Sequence, residues 1–154
     1  MIDKAHINYL LSEVLEDTDL FLVDLAVKPS NKIQIEIDSI KGINIDECAQ
    51  VSAYIESKLN RDVEDYELEV SSPGLGSPLK VIQQYQKNIG KQVSVVLKNG
   101  IKLTGKLLEV SPTSFKVETQ EKEKVDGKKK AEKLTIVNDL IYSEIKLTKV
   151  VISF

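Results

Sequence analysis

The chain has no tryptophan, one cysteine and one histidine among its 154 residues, and aromatic residues make up only 5% of it. Each shortage removes a class of function. With Cys48 alone, no intrachain disulfide can form and no cysteine-based metal site can be built. With His6 alone, a Ser/His/Asp triad, a histidine general base or a histidine-ligated metal would all depend on one side chain near the start of a helix. A surface or half-buried helix histidine is the simpler reading. Few aromatics leave no visible platform on which nucleobases could stack. Apolar runs fall far short of the ~20 residues that span a bilayer, and residues 1–20 lack the basic start and apolar middle of a secretory signal. A cytoplasmic protein with no membrane association and no cofactor is expected.

Charge, by contrast, is plentiful and unevenly placed. Residues 1–80 hold seven Lys/Arg and sixteen Asp/Glu, net −9, whereas residues 81–154 hold fourteen lysines and eight acids, net +6. An acidic half joined to a basic half suits a mixed surface such as a ribonucleoprotein better than bare nucleic acid. Simple solvation of two domains would produce the same totals.

In the acidic half, Ile7, Leu10, Leu11, Val14 and Leu15 recur at helical spacing and predict a helix over about residues 3–16. Phe21, Val23, Leu25 and Val27 alternate with polar positions, and beyond Pro29-Ser30-Asn31 so do Ile33, Ile35 and Ile37, which predicts a hairpin with one apolar face. Asn44 followed by Glu47 is a capping-box signature, with Ile43 able to staple against Cys48. Cys48, Val51, Ser52, Ile55 and Leu59 then share one helix face, which makes Cys48 a core residue rather than a nucleophile. Tyr66, Leu68 and Val70 alternate with Glu67 and Glu69 in a third strand. The order helix, strand, strand, helix, strand is satisfied by two layers, helices on a three-stranded sheet. Asp24, Glu36, Asp38, Glu67 and Glu69 would then make the other sheet face negative. Regular alternation produces such rows without any metal or glycoside chemistry.

The third strand runs into Ser71-Ser72-Pro73-Gly74-Leu75-Gly76-Ser77-Pro78-Leu79, where two prolines cannot join a sheet ladder and Gly74 and Gly76 permit positive φ. This stretch, 71–79, is read as the joint between an acidic domain of residues 1–80 and a basic domain of residues 81–154, with Ser71, Ser72, Pro73, Gly74 and Pro78 as its defining residues. A phosphate-loop reading of Gly74-x-Gly76 fails, because no third glycine or Gly-Lys-Ser/Thr follows and Pro73 removes an amide.

In the basic half the period of two returns at Val93, Val95 and Leu97, and Asn99-Gly100 is a two-residue hairpin signal. Ile101 and Leu103 alternate in one phase and Leu108 and Val110 in the other, so a bulge and bend are expected at Gly105. Phe115 and Val117, Leu134 and Ile136, and Leu147 to Ile152 complete five strands, predicting a small SH3- or Sm-like β-barrel, with a one-turn helix at 138–142. Residues 121–133 carry Lys122, Lys124, Lys128, Lys129, Lys130 and Lys133 around an Asp126-Gly127 turn signal. They predict a hairpin tip that either engages phosphates or is only a solvated loop.

The segment Val70-Ser-Ser-Pro-Gly-Leu-x-x-Pro-Leu79, placed between these two units, resembles the bacterial ribosome maturation factor RimP family. Gly90-Lys91, Gly100, Gly105 and the apolar segment from Ile145 to Phe154 extend the resemblance over essentially the whole chain. One departure is Gly76-Ser77, where the family commonly carries Asp-Arg, so any ionic role of that pair at the joint is absent or supplied elsewhere. The resemblance implies an α+β protein, an α-β-β-α-β domain with a KH-like layer followed by an Sm-like barrel. It further implies a non-enzymatic factor that binds the small ribosomal subunit precursor, its RNA and its proteins, notably small-subunit protein twelve. Lys91, Lys98, Lys102 and the lysine tip are the candidate contacts of such a factor, expected to act as a monomer. The alternative is a stand-alone Sm-like RNA chaperone, which would need a ring-forming edge and a uridine pocket.

Overall fold

The computed structural model describes residues 1–74, 76–123 and 132–152, with side chains throughout except at 121–123, 132 and 133. The chain divides into two compact units, Met1–Gly74 and Leu75–Phe154. It is a mixed α+β protein with three α-helices, a three-stranded sheet and a five-stranded sheet among the described residues.

In the N-terminal unit, α1 (Lys4–Leu15), β1 (Leu20–Lys28), β2 (Lys32–Ser39), α2 (Ile45–Lys58) and β3 (Glu67–Ser71) follow in the expected order. The sheet order is β1-β2-β3, antiparallel then parallel, so α2 is the crossover between β2 and β3. Ile7, Leu10 and Leu11 of α1 and Val51 and Ile55 of α2 pack with Leu25, Ile33, Ile35, Ile37 and Tyr66 in one core. The capping box at α2 is complete: Glu47 N–H donates to Asn44 Oδ1 at 2.8 Å, and Asn44 N–H donates to Glu47 Oε1 at 3.2 Å. Asn31, at φ +54° in the β1–β2 turn, ties three segments together. Its Oδ1 accepts from Ile2 N–H at 2.7 Å, its Nδ2 donates to the Asp65 carbonyl at 3.0 Å, and its own carbonyl accepts from Glu67 N–H at 3.0 Å.

The β1–β2 register shifts between Leu22 and Asp24, so Leu22 opposes Ile37 while Phe21 opposes Asp38. A bulge changes which residues share a face, and Phe21 therefore lies opposite to Leu25 and Val27 rather than with them.

The C-terminal unit contains α3 (Ile82–Lys87), β4 (Gln92–Leu97), β5 (Lys102–Val110), β6 (Ser114–Glu123), β7 (Glu132–Ile141), a 3₁₀ turn (Tyr142–Glu144) and β8 (Ile145–Val150). The one-turn helix thus falls at 142–144, because residues 138–141 still pair with β6. Helix α3 has too few turns to show a period; Gln84 Oε1 fixes its start by accepting from the N–H groups of Lys80 and Val81 at 2.6 and 3.1 Å. Its Tyr85 joins Val93, Val95, Leu107, Phe115 and Val117 in the core of this unit.

The sheet runs β7-β6-β5-β4-β8 and does not close into the expected barrel. The outer edge of β8 is engaged by the chain that precedes α3: Leu79 N–H donates to the Thr148 carbonyl at 2.8 Å. The β4–β5 connection is a three-residue loop, not a two-residue one. Leu97 N–H donates to the Ile101 carbonyl at 2.8 Å, and Gly100 alone takes positive φ, +91°. Asn99 instead accepts from Ile101 N–H at 3.0 Å through its side chain. The bulge of β5 lies between Leu107 and Glu109, not at Gly105. Gly105 serves another purpose: a Cβ there would lie 2.2 Å from the Glu118 carbonyl oxygen of β6. The Asp126-Gly127 turn and Lys124, Lys128, Lys129 and Lys130 lie outside the described residues.

Two backbones cannot part cheaply in a paired sheet, so Gly105→Ala is expected to destabilise the C-terminal unit by about 3 kcal/mol. Urea denaturation followed at the amide resonances of Val93 and Val117 measures this. A loss under about 1 kcal/mol would show that the close approach does not require glycine.

Candidate functional site

Alternation along the strands separates a buried face from a charged one in each sheet. In the five-stranded sheet, Val93, Val95, Leu107 and Val117 are fully buried. Across the other face, Lys106 stands opposite Gln92 on one side and Glu118 on the other, and Ser94 stands between Thr104 and Lys149. Lys102, opposite Val96, completes an exposed group of three lysines. From strand geometry Lys102 and Lys106 are about 13 Å apart along β5, and Lys149 is displaced about 10 Å sideways across β4. Among the described residues none of these three ammonium groups is held in an ion pair, whereas Lys116 is bound to Glu109 at 3.5 Å. The arrangement can meet anionic groups spaced along an extended ligand.

Of the lysines predicted from sequence, Lys98 and Lys102 come together on the β4–β5 hairpin. Lys98 is exposed and its N–H donates to the Glu144 carbonyl at 2.9 Å. Lys91 is exposed at the far end of the six-residue β4, about 20 Å from Lys98. Lys122 is in register with Lys133 on the β6–β7 hairpin, but their side chains are outside the described set, as are Lys124, Lys128, Lys129 and Lys130. Lys106 and Lys149 were not anticipated. Lys106 follows Lys102 by four residues on one strand and was readable from the period of two; Lys149 joins them only through the β4–β8 register, which carries no sequence signal.

In the N-terminal sheet, the face turned from the helices carries Asp24 directly opposite Glu36, Gln34 opposite Glu69, and Lys32 opposite Glu67 with an ion pair at 3.8 Å. Ser71 ends β3 opposite Glu36, and Ser72, Pro73 and Gly74 continue without regular structure to the end of this unit. Ser71 and Ser72 also border an open groove of about 670 Å³ with Ile43, Ile45, Cys48 and Val70. Pro78 precedes Leu79 in the other unit, and Gly76 has φ +77°.

Chemical groups suited to catalysis are sparse among the described residues. His6 is exposed on α1. Burial pushes the Cys48 thiol above its ordinary value, and the neighbouring Glu47 carboxylate pushes it the same way. Glu13 is held below the usual carboxylate range by the hydroxyl of Tyr54 and then that of Tyr9, on exposed helix surface. No group of three or more His, Cys, Asp or Glu among the described residues could hold a metal ion, and no described helix is long and apolar enough to cross a membrane.

Taken together, the geometry defines a two-unit α+β protein whose charge is displayed on sheet faces, acidic in the first unit and basic in the second. Comparison with known proteins narrows this. The family model described as the RimP N-terminal domain matches residues 10–76. A ribosome maturation factor RimP of Porphyromonas gingivalis is 43% identical over 146 residues, covering 95% of this chain and 96% of the relative. Proteins of the same name from Christiangramia forsetii and Flavobacterium psychrophilum are 34% and 36% identical, covering 98% and 100% of this chain and 99% and 100% of the relatives. The chain belongs to the RimP family.

Because the Cys48 thiol is shifted upward, its thiolate fraction at neutral pH is small and increases only as pH approaches the raised value. Iodoacetamide alkylation followed by intact-mass analysis should therefore be slower than for a free cysteine at pH 7.5 and still be accelerating at pH 9. A rate that levels off below pH 8.5 would contradict this.

Proposed function

We propose that this protein is a ribosome maturation factor that binds the immature small ribosomal subunit and assists its assembly without catalysing a reaction. The observation that carries this reading is 43% identity over 95% of the chain to a protein named for ribosome maturation. Charge placement supports it. Lys98, Lys102, Lys106 and Lys149 offer exposed cations to ribosomal RNA, with Lys91 and the lysines of 122–133 extending the contact. The acidic sheet face of the N-terminal unit offers carboxylates to basic ribosomal proteins, notably small-subunit protein twelve. The N-terminal unit serves as the KH-like layer and the C-terminal unit as the Sm-like module, in its open-sheet form. Residues 71–79 are the joint, with φ fixed locally at Pro73 and Pro78. The protein acts as a cytoplasmic monomer and needs no cofactor.

Co-sedimentation tests the reading: the protein should pellet with precursor small subunits at low salt and much less with mature ones. Absence of association with either at low salt would sink it, and a stable hexamer or heptamer in gel filtration would favour a ring-forming RNA chaperone instead.

The lysines are tested separately. Replacing Lys102, Lys106 and Lys149 together by Gln should weaken precursor binding and reduce the slope of log K against log salt by about 2 to 3, since each phosphate contact contributes close to one. The same experiment on Lys128, Lys129 and Lys130 distinguishes a phosphate-binding tip from a solvated loop. An unchanged slope in both variants would remove the basic unit from the RNA contact.

A further inference from the structure

The aromatic residues of the C-terminal unit are scattered in sequence and collected in space. Tyr85 and Phe115 ring centroids lie 4.9 Å apart, Tyr85 meets Tyr142 edge-on at 5.2 Å, and Tyr142 stacks on Phe115 at 5.3 Å with an interplanar angle of 29°. Phe115 and Tyr85 are buried, whereas Tyr142 is only half-buried and lines an open cleft of about 350 Å³. Leu79, Ile145 and Tyr85 line this cleft too, together with the exposed Lys80 and Lys146. Its size falls in the range of small-ligand sites.

Three features make the cleft a built one. The Tyr142 hydroxyl donates to the Ser111 carbonyl at 2.9 Å, so its ring is fixed from the far end. The Tyr85 hydroxyl bonds the fully buried Thr148 Oγ1 at 3.0 Å, which fixes the second ring. In the β4–β8 ladder Val96 opposes Leu147 and Leu97 opposes Ile145, so Lys146 is the extra residue of a bulge. A bulge redirects the side chain it carries, and this one borders the cleft.

The geometry points to a binding site for a nucleotide, its base against Tyr142 and its phosphate against Lys146, presented by single-stranded RNA. A rigid aromatic surface with cations at its margin is the combination that takes an unpaired base and its phosphate. An extended peptide fits less well, because β8 already uses its Thr148 carbonyl to accept from Leu79 N–H and so lacks a clear edge for a peptide main chain. The site deepens the proposed ribosomal role by naming the chemistry of one contact, and it rests on that role only for where the strand would come from.

The test uses the isotope-labelled full chain and short ligands, so its failure leaves subunit association to be judged by co-sedimentation. A single-stranded RNA pentamer should shift the amide resonances of Tyr142, Ile145 and Lys146 at low salt, and the same strand in a duplex should not. Tyr142→Leu should weaken pentamer binding about ten-fold or more, the scale of one lost base–aromatic stack. Tyr142→Phe, which keeps the ring, should stay within about two-fold, and Lys146→Gln should weaken binding and lower the salt slope by about one. Uridine or adenosine monophosphate shifting the same resonances as tightly as the pentamer would assign the site to free nucleotides and overturn the RNA assignment. Shifts confined to the face of Lys102, Lys106 and Lys149, or an acidic tryptophan-containing pentapeptide that binds the cleft more tightly than RNA, would also overturn it. If Tyr142→Leu does not fold, Lys146→Gln on the surface decides, and wild-type binding by that variant rejects the site.

Discussion

A paired β-strand has two faces, and one of them must be covered. The charged faces of both sheets follow from that constraint. In each unit the apolar positions of alternate residues are taken up by a core, Ile33, Ile35 and Ile37 under α1 and α2 in one, Val93, Val95 and Val117 with Tyr85 in the other. The intervening residues are then committed to the opposite face, whatever their charge. The first unit places carboxylates there and the second ammonium groups. Charge segregation between the two halves of the chain thus becomes charge displayed on sheet faces, without any residue having to leave its place in the pattern.

Bulges are where the alternation is interrupted, and they are also where the molecule departs from a simple sheet. The shift between Leu22 and Asp24 moves Phe21 to the acidic face; the shift between Leu107 and Glu109 lets β5 change the side it presents. The third, at Lys146, sits beside the half-buried Tyr142. Gly105 belongs to the same economy in a different way. It permits β6 to cross so closely that any side chain would meet the Glu118 carbonyl, and it stays within the inward phase of Leu103 and Leu107 rather than breaking it.

This explains what the sequence reveals and what it hides. Helix α1, the capping box at Asn44 and Glu47, and the hairpin of Ile33 to Ile37 are readable because each depends on neighbours within a few residues. The Asn99-Gly100 turn is readable as a turn but not in its length, since two- and three-residue loops share the same dipeptide and differ in whether Asn99 takes positive φ. Gly105 is readable as special but not for the right reason: a phase slip three residues away and a close crossing by another strand leave similar traces. Helix α3 is too short for periodicity, and the outer edge of β8 is engaged by Leu79 reaching Thr148, a contact across 69 positions. The same holds for the candidate sites. Lys102 and Lys106 share a strand, but Lys149 joins them, and Tyr85, Phe115 and Tyr142 meet, only through tertiary register.

On the proposed reading, exposed lysines on a sheet face also set the kind of binding. A solvated ammonium gains little from any one partner, about 0 to 1 kcal/mol for an exposed pair, and that gain is screened by salt. Several such contacts distributed over about 10 to 20 Å give an association that is fast to form and easily reversed. Tight, slow complexes rely instead on buried aromatic or arginine anchors, and this chain has no tryptophan and keeps Phe115 and Tyr85 inside. Tyr142 is the intermediate case: fixed by Ser111, supported by Phe115, and still in contact with solvent. On the proposed reading a factor that must both recognise an unfinished particle and leave a finished one would combine these two scales. Dispersed charge would supply encounter and release, while one preorganised ring would supply discrimination, because a base can reach it only while the strand that carries it is unpaired.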